Sequence, residues 1–352
     1  MSALDRPETY RRLDPSGLRE RIAGLTQQCR QAWEEGLALD LPKAYAGARE
    51  VVLVGMGGSA IGGDLLAGIA ELEEAPPVHV VRGYDLPSWV GPTTLTIVSS
   101  YSGNTEETLS AYRQALERGA LLVAMTSGGA LGEEAARGVP LFRITYPGEP
   151  RSAVGVSFLV PLALICKLGL LEDKEAQLRA GIHNLQELTA ALGPDVPEAK
   201  NLAKTVARAM HGRLPVVYGA GFLTGVARRW KTQLNENGKV WALYEQLSEA
   251  DHNAVQAYSL PSEIGERAYV VLLHSRFLHP RISVRYRITR DILAREEVEH
   301  RQLEGAGESP LAHLLTTALL GDYVSYYLGI LNEVDPALTP TLDEVKRRLA
   351  EE

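Results

Sequence analysis

The chain is poor in cysteine, in aromatic residues and in positive charge, and each shortage removes a class of protein. Its 352 residues contain two cysteines, Cys29 and Cys166, far apart and without metal-ligand spacing. They point to a reduced, cytoplasmic setting rather than a disulfide framework. Aromatic residues make up 6% of the sequence although 45% of it is hydrophobic. The core must therefore be built from Ala, Leu and Val, as in α/β proteins. A formal net charge of −8 is the wrong sign for general nucleic-acid affinity. One locally basic run, 281–293, interleaves Arg with apolar residues and reads as the solvated face of a strand or helix. The N-terminal stretch MSALDRPETYRRLD lacks the apolar centre of a signal peptide. The longest apolar stretch, 154–166, is interrupted by Pro161 and closed by Lys167. It is too short to span a bilayer and reads as a buried helix, so no membrane partner is expected. No His/Cys/Asp cluster has metal-binding spacing, and neither metal nor cofactor is expected.

What is present is a pair of strand-to-turn segments, VVLVGMGGSAIGGDLL at 51–66 and LTIVSSYSGNTEETL at 95–109. Each is a short apolar run that breaks into a Gly- and hydroxyl-rich turn and then into a helical pattern. Two such turns can aim backbone N–H groups, hydroxyls and helix N-termini at a single anion. Neither carries the GK[ST] ending of a nucleotide P-loop, and Gly55, Gly57 and Gly58 do not make a clean GxGxxG. A small phosphate ester, such as a sugar phosphate, fits better than a nucleotide.

Residues 15–39 read as helical, with Leu18, Ile22, Leu25 and Cys29 at helical spacing. Strands are predicted at 50–54, 78–81, 94–98, 121–125 and 141–145, with helical patterns between most of them. Strand and helix alternating in this way predict βαβ units and a doubly wound parallel sheet, with both turns at the carboxyl ends of strands. Residues 160–210 read as mostly helical, and GPDVPEAK at 193–200 is a plausible boundary. A strand and Gly turn recur in PVVYGAGFLTGVARRW at 215–230. Gly219 and Gly221 fall where Gly55 and Gly57 do, while Phe222 replaces Gly58 and Leu223 replaces Ser59. The expectation is a duplicated domain of which only the first copy binds phosphate. The limits read as a helical segment at 1–48, a first domain at 49–168, a helical bridge at 169–210 and a second domain with a C-terminal helix at 211–352.

In SSYSGNTEETL, Ser99, Ser100, Ser102 and Thr105 lie where a strand ends and a helix starts, with Glu106 and Glu107 in the first helical turn. Gly58 and Ser59 supply a second cradle. Glu236 lies in the last turn of a predicted helix that ends near Gly238, and His252 follows in a polar loop. One carboxylate and one imidazole are the parts proton transfer on a sugar requires. Taken singly, such residues are ordinary solvated groups. Arg151, after Pro150, is held in a turn at the carboxyl side of the sheet, where a guanidinium can hold an oxyanion or a phosphate. Thr339 stands near the start of a C-terminal helix and Lys346 in its body, and by itself Lys346 reads as a solvated helix residue.

These segments match a known pattern. GMGGSAIGGDL, SSYSGNTEETL, TSGGAL at 126–131, EPRS, NENGK, the HN at 252–253 and DYVSYYLGILNEVDP, in this order, resemble the bifunctional phosphoglucose/phosphomannose isomerases, which consist of two sugar-isomerase (SIS) domains. The match runs from about residue 50 to the C-terminus. The resemblance implies that Ser59, Ser100, Ser102 and Thr105, with Gly57 and Gly58, hold the sugar phosphate. It places the catalytic base at Glu236 and the ring-opening histidine sixteen residues later, at His252. Arg151 corresponds to the family's arginine, and Thr339 and Lys346 to a threonine and lysine seven residues apart. Two positions depart: Gly238 stands where alanine is expected, and Ala254 where an acidic residue is. The latter leaves the histidine's hydrogen-bond partner open.

The resemblance implies a metal-independent aldose–ketose isomerase interconverting glucose 6-phosphate or mannose 6-phosphate with fructose 6-phosphate through a cis-enediol. Either His252 or Lys346 would open the ring, Glu236 would move a proton between C2 and C1, and Arg151 would stabilise the enediolate. Thr339 would permit either C2 epimer. A homodimer is also implied, with the histidine entering the site from the neighbouring subunit. Two rivals stand beside this: a non-catalytic SIS protein that senses a sugar phosphate, and an SIS isomerase acting on another sugar phosphate.

Overall fold

The computed structural model describes residues 2–349 and 351. Its frame is two parallel sheets. The first contains β1 (Glu50–Val54), β2 (Val78–Val81), β3 (Thr94–Ser99), β4 (Leu121–Thr126) and β5 (Leu141–Arg143), in the order β2-β1-β3-β4-β5. The second contains β6 (Leu214–Ala220), β7 (Leu243–Leu247), β8 (Ala268–His274) and β9 (Glu299–Glu304), in the order β7-β6-β8-β9. The two orders are the same arrangement with the last strand absent from the second, which matches the duplicated fold expected from the sequence. Every residue of β3 is buried. That is why its sequence, TLTIVS, is apolar or β-branched up to the closing Ser99 rather than alternating: a parallel strand is covered on both faces.

Fourteen α-helices surround the sheets among the described residues. They are α1 (Pro7–Leu13), α2 (Leu18–Ala23), α3 (Leu25–Ala38), α4 (Gly57–Ala70), α5 (Glu106–Glu117), α6 (Gly129–Ala135), α7 (Val154–Lys167), α8 (Glu175–Leu192), α9 (Leu202–Met210), α10 (Thr224–Glu236), α11 (Ser262–Arg267), α12 (Pro280–Arg295), α13 (Pro310–Leu331) and α14 (Pro340–Leu349). The helix expected over 15–39 is two helices, α2 and α3, parted at Gly24. The basic run 281–293 lies on α12. The apolar stretch 154–166 is the buried helix α7, which runs through Pro161 to Lys167.

The longest apolar helix is α13. By length and composition it could cross a membrane, yet its most apolar stretch is wholly buried within this fold. A helix mostly apolar around its circumference is stable in water only as a core element, and α13 fills that place by packing on α8, α9 and α10. One hydrophobic core consequently spans both sheets.

Helices α4 and α10 join the two halves. A Cβ on Gly68 would lie 2.9 Å from the Phe222 main chain, and one on Gly225 would lie 2.9 Å from the Asp64 carbonyl. The pair therefore runs antiparallel at a separation only glycine permits. Asp64 closes the contact by pairing with Arg82 and, at 3.3 Å, with Arg228.

Candidate active site

β1 and β3 are paired in register, Val54 against Val98, so their carboxyl ends lie side by side. The chain leaves β1 toward β2 on one side and returns to β3 on the other. The gap between β1 and β3 is thus the topological switch point, where ligands bind in such sheets. Both Gly/Ser turns stand there.

The first turn opens α4. Gly57 has φ +49°, a left-handed conformation that starts the helix immediately after the strand. A Cβ on Gly58 would lie 2.7 Å from the Pro150 carbonyl and 2.8 Å from the Arg151 nitrogen. Ser59 is buried in the first turn of α4. In the second turn, Ser100 Oγ accepts the Gly103 N–H at 3.1 Å and donates to Thr105 Oγ1 at 3.0 Å. Ser102 Oγ accepts the Asn104 N–H at 3.3 Å and is exposed. Thr105 is the N-cap residue of α5 but its side chain does not cap the helix; it accepts from Ser100 instead. The TSGGAL segment lies beneath this loop. Ser127 N–H bonds Tyr101 O and Leu131 N–H bonds Gly103 O, each at 3.0 Å. A Cβ on Gly103 (φ +73°) would come within 1.9 Å of Gly128 O.

Arg151 connects the turns to the second half of the chain. Its main chain touches Gly58, while its buried side chain reaches the end of α10. Nη1 lies 3.5 Å from Glu236 Oε2, and Nε donates to Asn237 Oδ1 at 2.8 Å. Nη2 donates to the carbonyls of Pro336 at 3.2 Å and Ala337 at 2.6 Å. Burial pulls the arginine's pKa down, and Glu236 acts in the opposite direction; a guanidinium still keeps its charge. Arg229 donates to the Arg151 carbonyl at 3.2 Å and to both Asp322 oxygens at 2.7 Å. Gln233 and the Asn237–Ser325 bond complete the support. Glu236 itself, the last residue of α10, is partly exposed beside this network, with a side-chain exposure of 24%.

The structure thus brings Gly57, Gly58, Ser59, Ser100, Ser102 and Thr105 to one end of the first sheet, and Arg151 and Glu236 to each other. Thr339 follows the Pro336 and Ala337 carbonyls that Arg151 holds. His252 and Lys346 stand apart. His252 is exposed at the end of a short 3-10 helix, Glu249–His252, after β7. The anchor of that segment is Asp251, bonded to Arg285 and Thr289 at 3.0 Å. Lys346 is exposed on α14, 3.9 Å from Asp343. No hydrogen bond or ion pair among the described residues joins either one to Glu236 or Arg151. Asn237, Lys239, Arg229 and Asp322 were not singled out from the sequence. Asn237 and Lys239 stand inside NENGK, and Asp322 opens DYVSYYLGILNEVDP, so the motifs carried the signal. Among the described residues, no group of three or more His, Cys, Asp or Glu is placed to hold a metal ion.

A family model described as the bacterial phospho-glucose isomerase C-terminal SIS domain matches residues 199–349. A bifunctional phosphoglucose/phosphomannose isomerase of Caldicellulosiruptor bescii is 39% identical over 334 residues, covering 94% of this chain and 98% of the relative. Its counterpart from Aquifex aeolicus is 34% identical, covering 88% of this chain and 93% of the relative. Among solved structures, a hypothetical protein from Thermus thermophilus superposes with a TM-score of 0.74 at 20% identity, covering 98% of this chain and 93% of that one.

Proposed function

We infer the reaction from one premise: this chain belongs to the bifunctional phosphoglucose/phosphomannose isomerase family. It is a sugar-phosphate aldose–ketose isomerase, interconverting glucose 6-phosphate or mannose 6-phosphate with fructose 6-phosphate. The observation that carries the mechanism is the placement of Arg151, whose main chain abuts the phosphate turn at Gly58 and whose guanidinium meets Glu236.

Ser59, Ser100, Ser102 and Thr105 hold the phosphate at the N-termini of α4 and α5, where helix dipoles favour a dianion. The anchored sugar then extends toward Glu236. The carboxylate takes the C2 proton and returns it to C1, a transfer that contributes about 10²–10⁴-fold. Arg151 faces the base rather than the phosphate, which supports its role at the enediolate oxygen. Because the enediol is planar at C2, one base serves both epimers, with Thr339 at the rim of the site.

The exposure of His252 supports a shared site in which a second copy supplies the ring-opening imidazole. Leu243, 42% exposed, opens the edge strand β7 of the second sheet, and Trp241, 81% exposed, stands two residues before it. An exposed apolar patch of this kind marks a binding surface, and a homodimer covers it. Lys346 is the other candidate for ring opening. The domain limits 49–168 and 211–352, with 169–210 between them, are part of this reading. A cytoplasmic setting accords with the two free cysteines.

The test is to follow fructose 6-phosphate by NMR with EDTA present. Glucose and mannose 6-phosphates are both expected, and Glu236→Gln should lower kcat by about 10²–10⁴-fold while fructose 6-phosphate still binds. Fructose 6-phosphate binding without turnover in the wild type would favour a sensor. Mixing Glu236→Gln with His252→Ala protein should recover part of the lost activity through mixed dimers. No recovery would place His252 within its own chain's site or outside the chemistry.

A further inference from the structure

Lys239 is the second cation at the end of α10, and the isomerase reading gives it no role. Its amine donates to the main-chain carbonyl of Glu236 and, at 3.3 Å, to that of Pro336. The Pro336 carbonyl is also held by Arg151 at 3.2 Å. Two cations from different parts of the chain therefore converge on one carbonyl. One of them grips the carboxylate of Glu236 and the other its main chain. The Glu236 carbonyl is among those a helix leaves unpaired at its end, where a cation also complements the helix dipole.

The backbone is arranged for this grip. Lys239 has φ +55°, a left-handed conformation that non-glycine residues rarely adopt. The turn that allows it contains Gly238, whose Cβ would come within 2.7 Å of Leu234 O. The Gly238 carbonyl is fixed by Asn332 at 2.7 Å. Lys239 is an exposed residue whose amine reaches carbonyls of the two segments.

We propose that Lys239 is a positioning residue: it ties the end of α10 to the 336–337 segment and thereby sets Glu236 against Thr339. This rests on the assignment of Glu236 as the base and of Thr339 to epimer tolerance. The contact with two main-chain carbonyls is charge-assisted, and it weakens when the amine loses its proton. Burial and the neighbouring Arg151 pull its pKa down to about 8, with Asp335 and Glu236 opposing them. The charged form is present below that pH and is lost as the pH rises through it, so the tie loosens on the alkaline side.

The test compares wild type, Lys239→Met and Lys239→Arg in fructose 6-phosphate turnover between about pH 6 and pH 10. Lys239→Met should lose about tenfold in kcat with KM within about twofold, because the phosphate turns are not touched. It should also change the ratio of mannose to glucose 6-phosphate formed and lack the alkaline decline of the wild type. Lys239→Arg should regain most of kcat and show no decline up to about pH 10, since arginine does not titrate there. If Lys239→Met misfolds, the pH profile of Lys239→Arg still decides. An arginine profile that falls near pH 8 like the wild type overturns the proposal, as does a methionine variant matching the wild type in kcat, product ratio and pH profile. An inactive wild type would overturn the isomerase reading and this proposal with it. An active wild type with unaffected variants overturns only this proposal.

Discussion

Gly57 after β1 and Gly221 after β6 hold φ values of +49° and +50°, so the chain makes the same backbone turn twice, once in each half. The residues after each glycine differ. In the first half come Gly58, whose missing side chain admits Pro150 and Arg151 to van der Waals contact, and then Ser59. In the second half come Phe222 and Leu223, both buried, with the Phe222 main chain seated against Gly68 of α4. On the proposed reading the first turn is the one that takes a ligand. The second has been filled and serves as the joint between the halves.

The difference accounts for a single proposed site in a duplicated fold. α4 and α10 are antiparallel, and each begins at its own turn. The end of α10 is about 20 Å from its own start, at 1.5 Å per residue, and lies beside the start of α4. The second copy thus contributes the far end of its helix, carrying Glu236, and its blocked turn holds that helix in place. A sharp test of this division is Leu223→Ser, which gives the second turn the hydroxyl of the first. Leu223 is fully buried, so the cavity and the buried hydroxyl should together cost about 3–5 kcal/mol, read by chemical denaturation. The KM for fructose 6-phosphate should not change, and no second phosphate should bind by calorimetry, because Phe222 still fills the turn. A second phosphate site would show that the two turns differ by one side chain only.

The parts of this arrangement differed in how legible they were. The turns were readable because their glycines and hydroxyls act locally, and the strand at 50–54 and the turn at 55–59 are continuous in the sequence. The doubling was readable for the same reason, from Gly219 and Gly221. Glu236 was reached through the NENGK motif, not through its chemistry, since a carboxylate at a helix end is ordinary. The meeting of Arg151 with Glu236 was not legible. It joins residues far apart in the chain through the packing of α4 on α10, and no periodicity reports such a contact. Helix α13 was hidden for a different reason. Its residues are buried on every side, polar ones such as Asp322 and Ser325 included, so it lacks the 3.6-residue alternation by which a surface helix is found. Lys239 escaped because its role depends on two main-chain carbonyls, and main-chain atoms carry no sequence signature.

The smallest expected effect sharpens the same comparison from the other side. Ser59→Ala removes from the first turn the hydroxyl that the second turn already lacks, without refilling the space. A hydrogen bond to a charged group is worth about 1.5–3 kcal/mol, so KM for fructose 6-phosphate should rise about ten- to a hundredfold. The kcat should hold within about threefold, because the phosphate anchors the sugar away from the reacting carbons and its loss removes uniform binding. Stability should change by less than about 1 kcal/mol, since the alanine keeps the helix and leaves no large cavity. A fall in kcat equal to the rise in KM would mean that the phosphate grip is used to align C1 and C2 with Glu236. In that case the first turn would act in the chemical step as well as in capture, and the two halves would share the catalysis rather than divide anchoring from chemistry.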